Sequence, residues 1–187
     1  VPSVIWDKTD DGEGPGDGGP VDPEAIDYTP LVFSTSADVN SGNELTLRMS
    51  LVNTQHDWVL YDDETNDLVA SRMTNPGFTG ETTTVTLGNP GTTYRRYRLE
   101  GEVKDFQLRT VDGIQEPGSI TVESFSDRIS EYKYNVPEVG LTVPTQLPSH
   151  VTNIDNMFEN CTIFDQDISG WDTSRVTSMK GTFKGCS

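Results

Sequence analysis

The chain has 187 residues, enough for one or two domains, and only a third of them are hydrophobic. Its formal net charge is −17 at pH 7, which argues against nucleic acid or an anionic membrane as a partner, because both bind basic surfaces. No segment approaches the roughly 18 apolar residues of a membrane span, so no membrane insertion is expected, and 17 glycines with 11 prolines favour a β- and loop-rich chain.

Residues 1–30 are predicted to be an extended arm and linker. An apolar hexapeptide, residues 1–6, precedes a run of Gly, Pro and acidic residues that has little to bury and repels itself. We predict that Val4, Ile5 and Trp6 dock into another protein while the acidic linker sets the reach. Alternatively, the hexapeptide is the tail of an upstream domain or a flexible end. The acids of residues 10–18 do not follow the twelve-residue spacing of a calcium loop, so no metal site is predicted.

Residues 31–118 are predicted to form an antiparallel β-sandwich-like domain. Short β-type runs are separated by turn residues about every ten positions, which is typical of sandwiches. The runs 58–61 and 68–71 flank an acidic segment, 62–67, and predict a hairpin. Further β-type runs are residues 45–52, 82–87, 94–103 and 106–111.

Residues 119–150 are predicted to be a cap and an irregular first rung for the C-terminal segment. They contain a series of apolar anchors, and Pro137, Pro144 and Pro148 prevent a long helix. A stack of repeats requires such a covering element on its open side.

Residues 151–187 contain an internal repeat. The segment 151–162 returns as 176–187, with Val, Thr, Phe and Cys kept at four equivalent positions. A fixed period of this size indicates stacked units that bury their apolar faces against one another. The predicted repeat core is Val151, Ile154, Met157, Phe158, Cys161, Phe164, Ile168, Trp171, Val176, Met179, Phe183 and Cys186. About three repeats are normally needed for stability, so we expect more repeats after Ser187 in a longer polypeptide.

Between the two copies the sequence reads Gln-Asp-Ile-Ser at 166–169 and Trp-Asp-Thr-Ser at 171–174. Together with the repeated residues, these runs resemble the BspA-type leucine-rich-like repeat, also called the mycoplasma-type surface repeat. Asn160 stands where the family usually has Gly, and Thr182 where it has Met. The resemblance implies a right-handed solenoid on exposed proteins, with binding rather than catalysis as its role. It also implies an Ig-like or PKD-like module before the repeats, although the usual Trp-Gly-Asp-Gly motif is absent.

Cys161 and Cys186 occupy equivalent repeat positions, so they are expected on neighbouring rungs facing the same way. They are either two buried thiols that act as small apolar fillers or a disulfide between rungs, which an extracellular location would suit. A metal site is disfavoured because only His150 is nearby.

No catalytic or cofactor-binding residue is predicted. The acids Asp62, Asp63, Glu64 and Asp67 fall at a hairpin tip, where carboxylates are usually solvated, and His56 and His150 are far apart in the sequence without a recognisable nucleophile. The cations of one strand, Arg95, Arg96 and Arg98, are expected to pair with acids across the same sheet. A glycan-active enzyme would need a paired-carboxylate cleft, which the sequence does not reveal.

The sequence therefore favours a non-enzymatic virion appendage, such as a capsid decoration, fibre or tail-associated protein on a virion surface. In this hypothesis the N-terminal arm and β-domain bind other virion proteins within a larger assembly, and the repeats bind a host-surface ligand. The alternative is a fragment of a bacterial cell-surface adhesin or lipoprotein with the same solenoid.

Overall fold

The computed structural model describes residues 28–37, 47–52, 58–72, 83–87, 94–110 and 118–187. Apart from residues 28–30, the predicted arm lies outside these ranges. The predicted docking residues Val4, Ile5 and Trp6, and also His56, therefore lie outside the described residues.

Ten strands and no helix occur within the described ranges. The strands are β1 (Leu31–Ala37), β2 (Leu47–Val52), β3 (Trp58–Asp62), β4 (Asp67–Arg72), β5 (Thr83–Leu87), β6 (Arg95–Gly101), β7 (Val103–Thr110), β8 (Gly118–Ser124), β9 (Ile129–Asn135) and β10 (Gly140–Thr142). The prediction of a mainly β fold is confirmed.

The strands form two open sheets. One has six strands in the order β10-β8-β1-β6-β3-β4, and the other has four in the order β5-β2-β7-β9. Most neighbours are antiparallel, but β10 runs parallel to β8 and β9 runs parallel to β7. The predicted hairpin is present, since β3 pairs antiparallel with β4 around a turn at residues 63–66.

A corner at Gly101 carries the chain from one sheet to the other. The sequence predicts a single β-type run over 94–103, whereas the structure ends β6 at Gly101 and starts β7 at Val103. Gly101 has a φ of 105°, a conformation that side chains disfavour and glycine accepts. The single predicted run is therefore two strands, one in each sheet.

The inner faces of the two sheets share one hydrophobic core. Phe33 on β1 lies 5.8 Å from Phe106 on β7, between ring centroids. Phe106 in turn contacts Tyr132 and Tyr134 on β9 at 6.4 and 6.3 Å. Tyr134 continues the core into the repeat region through Phe158, at 6.2 Å.

The segment predicted as a cap supplies strands to both sheets. It begins where β8 enters the six-stranded sheet beside β1, and it continues into β9 at the edge of the four-stranded sheet. After β9 the chain is mostly irregular and buries apolar side chains at intervals, namely Val136, Val139, Leu141, Val143 and Leu147. The division of the chain into domains stays a prediction.

Candidate functional site

The repeat region folds as coil 1 (residues 151–175) and the beginning of coil 2 (residues 176–187). The same backbone hydrogen bonds close equivalent turns in both coils. Three turns in coil 1 are closed by backbone hydrogen bonds of about the same length as those that close the equivalent turns of coil 2. The donor–acceptor pairs are Met157–Ile154 (3.2 Å), Glu159–Asn156 (3.2 Å) and Cys161–Phe158 (3.1 Å), followed by Thr182–Met179 (3.4 Å), Lys184–Gly181 (3.0 Å) and Cys186–Phe183 (3.1 Å).

Two left-handed positions recur in both coils. Asn156 and Asn160 have φ values of 56° and 60°, and their counterparts Gly181 and Gly185 have 67° and 78°. Asn and Gly are the residues that adopt this conformation most readily. A Cβ on Gly181 would lie 2.5 Å from Oδ1 of Asn156, so the Asn side chain of coil 1 occupies the space that glycine leaves in coil 2.

Backbone hydrogen bonds join the coils in a mainly one-way ladder. The N–H groups of coil 1 donate forward to carbonyls of coil 2, in the pairs Ile154–Ser178 (3.0 Å), Asn156–Lys180 (3.0 Å), Phe158–Thr182 (2.8 Å) and Asn160–Lys184 (2.8 Å). The same direction holds one layer earlier, where the N–H of Tyr134 on β9 donates to the carbonyl of Met157 at 2.8 Å. One backbone bond runs the other way, from the Thr177 N–H to the Thr152 carbonyl at 2.8 Å.

Side chains of the repeat tie each coil to the layer before it. The amide of Gln166 makes two bonds to the backbone of Val143, both 2.7 Å, and Nε1 of Trp171 donates to the carbonyl of Pro144 at 2.9 Å. Thr182 donates its hydroxyl to the carbonyl of Ile154 at 3.0 Å. These contacts give the polar residues of the repeat a structural role.

Aromatic rings stack along the same axis. The ring planes of Tyr134 and Phe158 differ by 18°, with centroids 6.2 Å apart, and those of Phe158 and Phe183 by 17°, at 5.5 Å. Phe164 covers Phe158 within coil 1 at 4.3 Å. Phe158 and Phe183 therefore point the same way in successive coils.

The predicted repeat core is buried in coil 1 and open in coil 2. Buried residues are Val151, Ile154, Met157, Phe158, Cys161 and Trp171, and partly buried ones are Phe164, Ile168, Val176 and Cys186. In coil 2, Met179 is 50% exposed and Phe183 is 46% exposed, although their counterparts Ile154 and Phe158 are almost wholly buried.

The two cysteines are free thiols. The Cys161 thiol donates to the carbonyl of Tyr134 at 3.3 Å, and the Cys186 thiol to the carbonyl of Phe158 at 3.0 Å. Burial raises the pKa of Cys161 to about 11 and also raises the pKa of Cys186. The structure therefore has two free thiols rather than a disulfide between neighbouring coils.

The acidic hairpin tip and the arginine strand meet on the six-stranded sheet. Asp62 pairs with Arg95 at 2.8 Å, and Asp63 pairs with both Arg96 and Arg98. Cross-strand pairing within the sheet is therefore confirmed. Asp62 also accepts the N–H groups of residues 64 and 65, which orders the turn.

Two other titratable residues have structural partners. Glu100 is buried and bonded to Arg98 at 2.6 Å; burial raises the pKa of its carboxyl, and Arg98 opposes this. His150 places Nε2 2.9 Å from the carbonyl of Ile129. Within the described ranges, no group of three or more His, Cys, Asp or Glu side chains is placed to hold a metal ion.

Sequence reasoning did not identify Tyr134 as the first aromatic ring of the stack, nor the forward-pointing amides. The sequence signal for Tyr134 is its position, which precedes Phe158 by almost one repeat period. The residues around Tyr134 do not match the repeat motif.

A model of the family described as Mycoplasma protein of unknown function, DUF285, matches residues 122–187. The match covers most of β8 and all of β9, β10, coil 1 and residues 176–187 of coil 2. Neither curated proteins nor solved structures give a significant match. No helix in the described part of the chain has the length and hydropathy needed to cross a bilayer.

Proposed function

We propose that this chain is part of a non-enzymatic cell-surface protein whose coil stack binds another protein. The observation that carries the proposal is the pair of stacked coils, whose turns and left-handed positions coincide, within the segment that the family model matches. Stacked repeats form extended surfaces that repeat proteins use to bind other proteins.

The location rests on the family match and on the resemblance to mycoplasma-type surface repeats. Both favour the alternative interpretation, a cell-surface protein, over the virion interpretation, which neither the structure nor the comparisons support. The two facing sheets are consistent with an Ig-like sandwich, and the repeated coils with a solenoid. We include both assignments in the proposal.

The order of the layers supports an orientation in which the coils face away from the protein's own assembly. Strand β9 covers coil 1 on one side, since Tyr134 bonds to Met157 and stacks on Phe158. Coil 2 lies on the opposite side of coil 1, where Phe183 stacks on Phe158. In this proposal the arm and the β-sheets attach the protein to its own assembly, and the coils face outward.

A non-enzymatic role is supported by how the candidate acids are used. Asp62, Asp63 and Glu100 are held in ion pairs with arginines. Asp167 and Asp172 each accept a backbone N–H two residues on, at 2.9 Å, as turn-forming residues do. These hydrogen bonds lower the pKa of both carboxyls, which is the opposite of what a general acid requires.

The test has two parts, location and binding. Antibodies against residues 151–187 should label intact cells of the source organism, and proteinase added to intact cells should remove that signal. Purified chain should bind host extracellular protein, and the antibodies against residues 151–187 should block this binding, whereas antibodies of unrelated specificity should not. Signal only after cell lysis, or binding that the antibodies do not reduce, would refute the proposal.

A further inference from the structure

Strand β4 is the outermost strand of the six-stranded sheet. Among the described strands it pairs with β3 alone, at the end of the order β10-β8-β1-β6-β3-β4. Its other edge therefore has backbone N–H and C=O groups with no described strand beside them, and proteins usually cover or charge such an edge. The strand, Asp67–Arg72, carries its charges only at its two ends and contains neither Lys nor Pro, the residues that commonly protect an edge.

Both faces of this edge are apolar and exposed. Leu68 is 61% exposed and Val69 is 40% exposed. Because successive side chains of a strand point to opposite faces, no single flat surface covers both of them. An added strand does, since it places a neighbouring side chain beside each one. The ligand that fits this edge is therefore an extended segment with consecutive apolar residues.

The sequence contains such a segment outside the described residues. Val4, Ile5 and Trp6 are consecutive residues of types favoured in strands, so they would present apolar side chains on both faces of an added strand. Pro2 precedes them, and proline is tolerated near the beginning of an edge strand. The composition of residues 1–6 therefore matches what the edge of β4 requires.

The linker is long enough to bring this segment to β4 of the same chain. Tyr28, which follows the linker 7–27, is fixed beside the sheet because its hydroxyl accepts the Gly101 N–H at 3.0 Å. Gly101 lies opposite Trp58, and Trp58 lies opposite Arg72 at the end of β4. Two strand spacings, about 10 Å, thus separate this anchor from the edge. A flexible linker of this length spans about 25 Å.

Charge selects the direction of the added segment. The exposed acids Glu64 and Asp67 lie at the hairpin tip, where β4 begins, and the one cation of β4 is Arg72, where the strand ends. The linker is acidic from Asp7 onward, so the tip repels it. A segment parallel to β4 places Asp7 at the Arg72 end, which is also the end nearest to Tyr28.

We propose that the edge of β4 binds residues 1–6 of the same chain, which add to the six-stranded sheet as a strand parallel to β4. The apolar residues of the segment then lie beside Leu68 and Val69, and its backbone pairs with the edge. The linker supplies an effective concentration in the millimolar range, so a weak intrinsic affinity is enough. This inference goes beyond the proposed function and does not depend on what the coils bind.

The experiment measures hydrogen exchange of single amides in a ¹⁵N-labelled chain of residues 1–187. The β4 amides that face away from β3 should exchange about tenfold more slowly in the unchanged chain than in Ile5→Asp, which puts a charge into the apolar run. A dissociation constant of about 0.1 mM gives this factor at an effective concentration of about 1 mM. Val21→Asp, the same kind of change in the linker, is the matched control and should keep the slow exchange.

A peptide with the sequence of residues 1–8 tests the same contact from outside the chain. Added to the Ile5→Asp chain, it should restore slow exchange at the same β4 amides, whereas a scrambled peptide of the same composition should not. Leu68→Asp changes the edge itself, so it should abolish the protection, and the peptide should not restore it. Circular dichroism and slow exchange at residues 154–160 confirm that each variant is folded.

Three results would overturn the inference. The first is fast exchange of these β4 amides in the unchanged chain. The second is protection that Ile5→Asp leaves intact, because another part of the chain would then cover the edge. The third is protection that disappears on dilution, because the segment would then bind a second copy. None of these results changes the labelling of intact cells or the antibody block of host-protein binding, so failure here is distinguishable from failure of the proposed function.

Discussion

Replacing Phe158 by Ala should destabilise the protein far more than the same change at Phe183. Phe158 is fully buried and contacts the rings of Tyr134, Phe164 and Phe183, so its removal leaves a cavity. Buried Phe→Ala changes cost about 3–5 kcal/mol because lost transfer free energy adds to the cavity term. In the chain of 187 residues Phe183 is 46% exposed and water can fill the space it leaves, so about half of the transfer free energy, about 0.8–1.5 kcal/mol, is expected to be lost.

The assay is urea denaturation followed by tryptophan fluorescence and far-ultraviolet circular dichroism. The free energies of unfolding should differ by about 2 kcal/mol or more between the two variants, with similar dependence on urea. If Phe158→Ala is too unstable to purify, Phe158→Leu against Phe183→Leu gives the same comparison with smaller values. Equal losses at the two positions would refute the reasoning, because the two rings would then have equal burial.

Three further changes test the contacts within the stack. Gly181→Ala should lower the free energy of unfolding by about 1–2 kcal/mol, because Ala disfavours the left-handed conformation and the added Cβ would meet Asn156. Thermal unfolding should show a smaller loss of stability when Asn156→Gly is combined with Gly181→Ala. If the double variant recovers no stability, the contact with Asn156 is contradicted. Gln166→Leu should cost about 1–2 kcal/mol because two backbone groups lose their partner, and unchanged urea stability would contradict this. Burial raises the pKa of Cys161 from 9.0 to about 11, so this thiol ionises at lower pH in the unfolded chain than in the folded one. The stability that the buried thiol contributes is therefore fully present below pH 9 and is lost as the pH rises toward 11. Urea titrations across this range should show the loss, and Cys161→Ala should reduce it; an equal loss in the variant would contradict the assignment.

The repeat core could be predicted because its signal is periodic. Phe158 and Cys161 recur as Phe183 and Cys186, and the constant spacing between the copies fixes which side chains stack without any knowledge of the rest of the chain. The hairpin between β3 and β4 could also be predicted, since a short acidic turn between two β-type runs is a local signal.

Other features depend on contacts that the sequence does not encode locally. The break at Gly101 was missed because a lone glycine within a β-type run does not say whether the strand bends or changes sheet. Tyr134 belongs to the aromatic stack only because β9 is placed beside coil 1 by its parallel pairing with β7.

The central claim, that coil 2 repeats coil 1 and accepts its forward hydrogen bonds, is tested most directly by hydrogen exchange of single amides in a chain of residues 1–187. The account predicts slow exchange at Ile154, Asn156, Phe158 and Asn160, whose N–H groups donate to coil 2. It predicts fast exchange at Met179, Gly181, Phe183 and Gly185. Equal rates in the two sets, or slower exchange in the second, would contradict it.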